Sequence, residues 1–136
     1  MGSENLAYAL IQVVHNFGAA AVLGGAVFIL WPMPRLEFAH AFARLILLAW
    51  GAQIASGILF GLTSLHYYGE TPDLSKLAMA ALAIKVVAAI SGLLLTAGYL
   101  LRRRSWPRWQ VKRIFQWLAA LAAIALTAAA FLRWFS

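Results

Sequence analysis

Four long apolar runs, parted by only a few polar or helix-breaking residues each, leave this chain few ways to fold. Each run supplies the roughly 20 residues that an α-helix needs to cross a bilayer. The first extends from about Asn5 to Trp31 and stops at Trp31-Pro32-Met33-Pro34-Arg35, where two prolines so close together cannot continue a helix. Ser3 or Asn5 can cap its start. The second extends from about Glu37 to His66, its apolar centre beginning near Ala41, and gives way to a turn at Tyr67-Tyr68-Gly69-Glu70-Thr71-Pro72-Asp73. The third follows Asp73 or Ser75, both plausible caps, and reaches Leu101; the fourth spans about Trp109 to Phe135 and is rich in alanine. Connections this short make neighbouring helices antiparallel. The expected fold is therefore all-α: one domain, an integral membrane antiparallel four-helix bundle.

Composition points the same way. The chain has 136 residues, 64% of them hydrophobic, and only 11% charged, against about 25% in a typical soluble domain. Its mean hydropathy is +0.83. A formal net charge of +7 raises nucleic acid as a partner, but no soluble domain is left to carry that function. Six of the eleven Lys and Arg residues lie between Arg102 and Arg113, a pattern of topology signalling rather than of a binding stripe. With no cysteine, the chain holds no disulfide, zinc finger, thiolate copper site or c-type haem attachment. The start of the chain lacks a basic region, and its apolar run exceeds the about 7–15 residues of a signal-peptide core.

Basic residues decide which side each connection faces. Arg35 and Arg44 mark the first connection, and Arg102-Arg103-Arg104, Arg108 and Lys112-Arg113 mark the third. The N-terminal end has no Lys or Arg, and the middle connection sets Lys76 against Glu70 and Asp73. Only Arg133, beside Trp134, argues otherwise. Both termini and the middle connection are expected outside, in the periplasm, and the two basic connections in the cytoplasm of a bacterial inner-membrane protein. The run Ser105-Trp106-Pro107-Arg108-Trp109 adds an interfacial aromatic belt, and can also face anionic lipid or an acidic partner subunit.

Against this background His15-Asn16, set between Val14 and Phe17, is costly in hydrocarbon unless something satisfies it. Lys85 is the second such oddity. Counting about 1.5 Å per residue from each helix end brings His15, Gln53, Lys85 and Thr127 to one depth, within about a turn, with Ser56 and Ser91 nearby. A polar layer shared by four helices implies a buried network or a cofactor cradle. No acidic residue lies at that depth, so Lys85 either bonds Gln53 or His15, or meets an exogenous anion such as a haem propionate or a quinone oxygen. The face of His15 continues through Gly18, Ala19, Val22, Gly25 and Ala26, small enough to admit a flat macrocycle or another helix. Gly57-Ile58-Leu59-Phe60-Gly61, with Gly51, Ala55 and the alanines of the fourth run, predicts close helix contacts.

Two further histidines stand nearer the ends. His66, beside Tyr67, Tyr68, Glu70 and Asp73 and with Met79 across the turn, offers imidazole, carboxylate and thioether at an outer rim where copper can bind. It lies about 20 Å from the level of His15, too far for both to hold one haem. His40, with Glu37 at i−3 and Arg44 at i+4, makes an ordinary helix-surface charge pattern. No catalytic triad, Gly-rich phosphate loop, paired carboxylates or metalloprotease spacing is present, so hydrolase and phosphoryl-transfer chemistry are not expected.

The succession Gly24-Gly25-Ala26-Val27-Phe28 closing a His-bearing first helix, then His40-Ala41-Phe42-Ala43-Arg44-Leu45, Ser56-Gly57-Ile58-Leu59 and Leu82-Ala83-Ile84-Lys85, resembles the four-helix domain of the copper resistance protein D (CopD-like) family. The resemblance spans nearly the whole chain and puts His15, Arg44, Gly57 and Lys85 at that family's recurring polar and glycine positions. It implies copper movement or homeostasis at the bacterial inner membrane, with His15, His66 and Met79 as metal ligands and a periplasmic copper protein or other membrane subunits as partners. The chain is about half as long as the eight-helix members and has few soft ligands.

A second resemblance is to the HemJ-type protoporphyrinogen oxidases, four-helix proteins with a His on the first helix and a Lys on the third that bind haem b. The chain departs from their Tyr-Leu-Pro-Arg signature, having Leu30-Trp31-Pro32-Met33-Pro34-Arg35. That resemblance implies a redox module for b-type haem or quinone, with His15 as axial ligand and Lys85 as partner of a propionate or oxygen. The blander alternative is a small accessory subunit of a larger membrane complex.

Overall fold

The computed structural model describes residues 2–102 and 105–136; Arg103 and Arg104 of the basic run lie outside the described residues. Four helices make up almost all of the rest: α1 Ser3–Leu30, α2 Ala39–Tyr68, α3 Lys76–Leu101 and α4 Arg108–Phe135, with no strand among the described residues. All four are long and apolar enough to cross a membrane.

The ends of the helices follow from local chemistry. Past Leu30 the backbone turns extended at Trp31, and Arg35 folds back over the stranded carbonyls. Its guanidinium donates to Phe28 O and Trp31 O, both at 3.2 Å, and lies 4.8 Å from the centre of the Phe28 ring. A 3₁₀ turn at Leu36–Phe38 then leads into α2, so Glu37, expected to open the second helix, sits in that turn. At the other end α2 runs through His66 to Tyr68 and closes on Gly69, whose φ of 72° is the left-handed conformation that glycine adopts without strain. Ser75 caps α3, its hydroxyl accepting from Ala78 N at 3.1 Å. Neither Ser3 nor Asn5 caps α1, which begins at Ser3 after Gly2 with no side-chain cap.

The helices run up and down. Tyr68 donates to Glu4, tying the end of α2 to the start of α1, and Ser75 donates to Phe135 O, tying the start of α3 to the end of α4. Both chain ends and the α2–α3 turn therefore share one end of the bundle. The α1–α2 and α3–α4 connections share the opposite, basic end.

Packing is uneven along the bundle axis. The largest fully buried side chains include Trp50, Phe115, Ile29, Ile46 and Leu118, and with Tyr99 and Val111 they fill the basic half. His40 belongs to that half too, its ring 5.7 Å from that of Tyr99. Close approach is paid for by glycine at three places: Gly18 against Ala49 and Gln53, Gly25 against Ile46, and Gly92 against the ring of Trp50. The glycines expected to make close contacts do not. A Cβ on Gly51, Gly57 or Gly61 would meet nothing within 4 Å. Gly57 and Gly61 lie where the terminal half of the bundle opens instead into a cleft.

Candidate functional site

His15 stands on α1 one turn before Gly18. The missing side chain at Gly18 lets Gln53 of α2 come in close enough to donate from Nε2 to His15 O at 2.5 Å. One turn along α2, Ser56 meets the imidazole itself, with Oγ 2.7 Å from Nδ1. From the opposite side, Lys85 of α3 brings Nζ to 3.1 Å from Nε2. Three helices thus converge on one histidine. Gln53 is 9% exposed and Ser56 1%, so these polar atoms have little but each other to bond.

One arrangement of the protons keeps each of these contacts; the other tautomer, with Ser56 donating to Nδ1, gives up the Ser56–Ala52 bond. Ser56 has a single hydroxyl hydrogen, which it donates back to Ala52 O at 2.6 Å. It can then only accept from His15, so the imidazole carries its hydrogen on Nδ1. The Nε2 lone pair is left to accept from Lys85, which donates whether or not it is charged. In that arrangement the imidazole is neutral and its Nε2 lone pair accepts from Lys85. Oxygen-anchored Nδ1–H is the usual setting of a histidine that ligates through Nε2.

This layer is the floor of a cleft of about 840 Å³ that reaches to Thr71, Pro72 and Ser136 at the terminal end. The volume is within the about 300–1,000 Å³ usual for small-molecule sites. The walls are mainly apolar and aromatic, and Phe60 lies edge-on to the His15 ring at 5.7 Å between centres. Two cations line it, Lys85 at the floor and Arg133 near the mouth, with no Asp or Glu among the described lining residues. Gln12 and Asn16 form part of one wall, and Gln12 Nε2 donates to Asn16 Oδ1 at 2.6 Å.

His15, Gln53 and Lys85 thus come together. Thr127 does not join them: it is exposed, and its hydroxyl donates to Ala123 O at 2.8 Å in its own helix. Ala125 is the α4 residue that faces the cleft near that level. Met79 lines the cleft, whereas His66 is exposed beside Tyr67 and lies off the lining. Among the described residues, no three of His, Cys, Asp and Glu gather as a metal site.

Depth counting does not single out four of the residues that shape the site. Phe60 and Ser64 follow Gln53, Ser56 and Gly57 at helical spacing along one face of α2, so periodicity alone could have marked them. Arg133 reads as an exception to the charge rule, yet it is the cation at the cleft mouth. Trp50, at the base of the cleft, carries no sequence signal beyond its size. No family model matches the chain, no curated protein matches it, and no solved structure matches its fold.

Proposed function

We propose that the chain is a four-span protein of the bacterial inner membrane and that its cleft holds a b-type haem, making it a redox module. Both termini and the α2–α3 turn lie on the periplasmic side, and the two arginine-rich connections lie in the cytoplasm. The observation that carries the cofactor reading is the 3.1 Å pair of His15 Nε2 and Lys85 Nζ at the floor of an 840 Å³ cleft.

The donor set suits such a group. His15 presents a neutral nitrogen lone pair, Ser56 bonds its other nitrogen, and Gln53 ties down the backbone that carries it. Lys85, on a flexible four-carbon stem, can turn from Nε2 towards a carboxylate, and Arg133 offers a second cation nearer the mouth. When bound, haem supplies one-electron chemistry; the chain supplies the axial nitrogen, charge compensation and apolar walls. Glycine at 57 and 61 keeps one wall low enough for a flat macrocycle. A quinone would use the same cationic donor for its carbonyl oxygen.

The experiment is an absorption spectrum of the protein purified from membranes. A Soret band that disappears in His15→Ala and shifts in Lys85→Met supports the reading; a colourless protein after growth with ample haem precursor refutes it. Copper handling of the CopD-like kind is the second reading, favoured by the Met79 thioether and the His15 imidazole opening into one cleft. It predicts stoichiometric copper by elemental analysis, lost in His15→Ala or Met79→Leu and retained in His66→Ala. Copurification with other membrane subunits and neither cofactor would favour an accessory subunit.

A further inference from the structure

A second concavity lies at the opposite, basic end, on a face of α4 that the cleft does not use. It measures about 290 Å³ and is walled by Trp106, Trp109, Gln110, Arg113, Ile114 and Trp117. We propose that this groove seats an anionic phospholipid of the cytoplasmic leaflet, its apolar part against the indoles and its phosphate on Arg113 at the rim. The proposal rests on the membrane reading above, but not on what the cleft holds.

Two observations carry it. Trp109, Arg113 and Trp117 are spaced four apart, one ridge of α4, and this ridge faces away from the buried stripe of Val111, Phe115, Leu118 and Ala122. Trp109 and Trp117 are 61% and 60% exposed, so two indoles and a guanidinium face whatever surrounds the bundle. Tryptophan at that level suits the boundary between headgroups and acyl chains.

Charge is the second. Six Lys and Arg lie between Arg102 and Arg113, whereas Glu37 is the one acidic residue on a connection at that end. Among the described residues, neither Arg108, Lys112 nor Arg113 is paired with a carboxylate. The anion that balances this end must come from outside the chain, and arginine suits a phosphodiester because its planar fork meets two oxygens at once.

Tryptophan fluorescence tests this on the full chain in nanodiscs. One sample contains a minority of acyl-brominated phosphatidylglycerol in phosphatidylcholine, and a second contains the same fraction of brominated phosphatidylcholine. Phosphatidylglycerol should quench more, and Trp117→Phe should remove part of the excess. Arg113→Gln should lower the preference for phosphatidylglycerol about fivefold, the factor that about 1 kcal/mol per basic residue at an anionic surface implies. Arg133→Gln, at the other end, should leave it unchanged. If Arg113→Gln fails to fold by circular dichroism, Arg113→Lys replaces it, keeping the charge but losing the fork, with a smaller loss expected. Equal quenching by phosphatidylglycerol and phosphatidylcholine would overturn the proposal, as would a preference that survives the Arg113 variants.

Discussion

Gly92 gives the sharpest test of how the basic half is packed. A Cβ built there would lie 2.3 Å from Trp50 Cε2 and 2.6 Å from Cζ2 and Nε1, more than about 1 Å inside the distance at which carbons touch. Trp50 is 1% exposed, so either its ring gives up its packing and turns toward the cleft it borders, or α3 backs away from α2. Overpacking of this kind costs about 1–3 kcal/mol. Gly98 is the internal control, one helical face further along α3, where a Cβ meets nothing within 4 Å. Gly98→Ala should gain about 0.5–1 kcal/mol of helix propensity. Gly92→Ala collects the same gain but loses it to the clash. Unfolding in mixed micelles, followed by circular dichroism, should therefore separate the two variants by about 2 kcal/mol or more. Trp50→Phe should relieve Gly92→Ala, because the smaller ring vacates the space. The indole Nε1 has no hydrogen-bond partner, so that exchange sacrifices no bond. A Gly92→Ala protein as stable as Gly98→Ala, or a double variant with no rescue, would refute the packing argument.

Four further outcomes are expected. Ser56→Ala leaves the His15 Nδ1 hydrogen without its acceptor and should cost about 1–3 kcal/mol in the same unfolding assay. Gly69→Ala puts a side chain on the left-handed cap of α2 and should cost about 1–2 kcal/mol. Ser75→Ala removes the cap of α3 and should cost about 1 kcal/mol, also freeing the end of α4 to exchange amide hydrogen faster. Gly57→Phe should fold, since the space beside it is open, yet fill the cleft and abolish cofactor loading, read as loss of the Soret band or of bound copper.

Much of the architecture was legible in the sequence because bilayer-length apolar runs permit little besides helices, and prolines at 32 and 34 and Gly69 mark where the chain turns. Meeting points were legible only in part. Counting along helices compares depth but carries no azimuth, which separates Lys85 from Thr127. Lys85 points inwards to His15 at 3.1 Å, whereas Thr127 sits on the outer side of α4 and bonds its own backbone. The same blindness misassigned the glycines. Small residues allow close approach without enforcing it, and whether they do depends on the residue opposite. Gly92 faces an indole and closes the gap, while Gly57 and Gly61 face a cleft.

That last contrast accounts for the cleft itself. In the basic half, large side chains such as Ile29, Ile46, Trp50, Phe115 and Leu118 occupy the centre of the bundle. Towards the terminal end the lining mixes small residues, Ala125, Ala129 and Ala130 of α4 and Gly57 and Gly61 of α2, with larger ones such as Phe60, Leu126 and Leu132. At that end Tyr68–Glu4 joins α2 to α1 and Ser75–Phe135 joins α3 to α4, holding helix pairs together without filling the space between them. Volume missing from the side chains then remains as space between the helices. His15 stands at the border between the two regimes, gripped below through Gly18 and Gln53 and open above to the cleft. A histidine needed only to join helices would be better served deep in the packed half, with both nitrogens on fixed oxygens. Here one nitrogen meets Ser56 and the other the amine of Lys85, an arrangement that sets the ring at the floor of a cleft with a long side chain, not a fixed oxygen, on its Nε2.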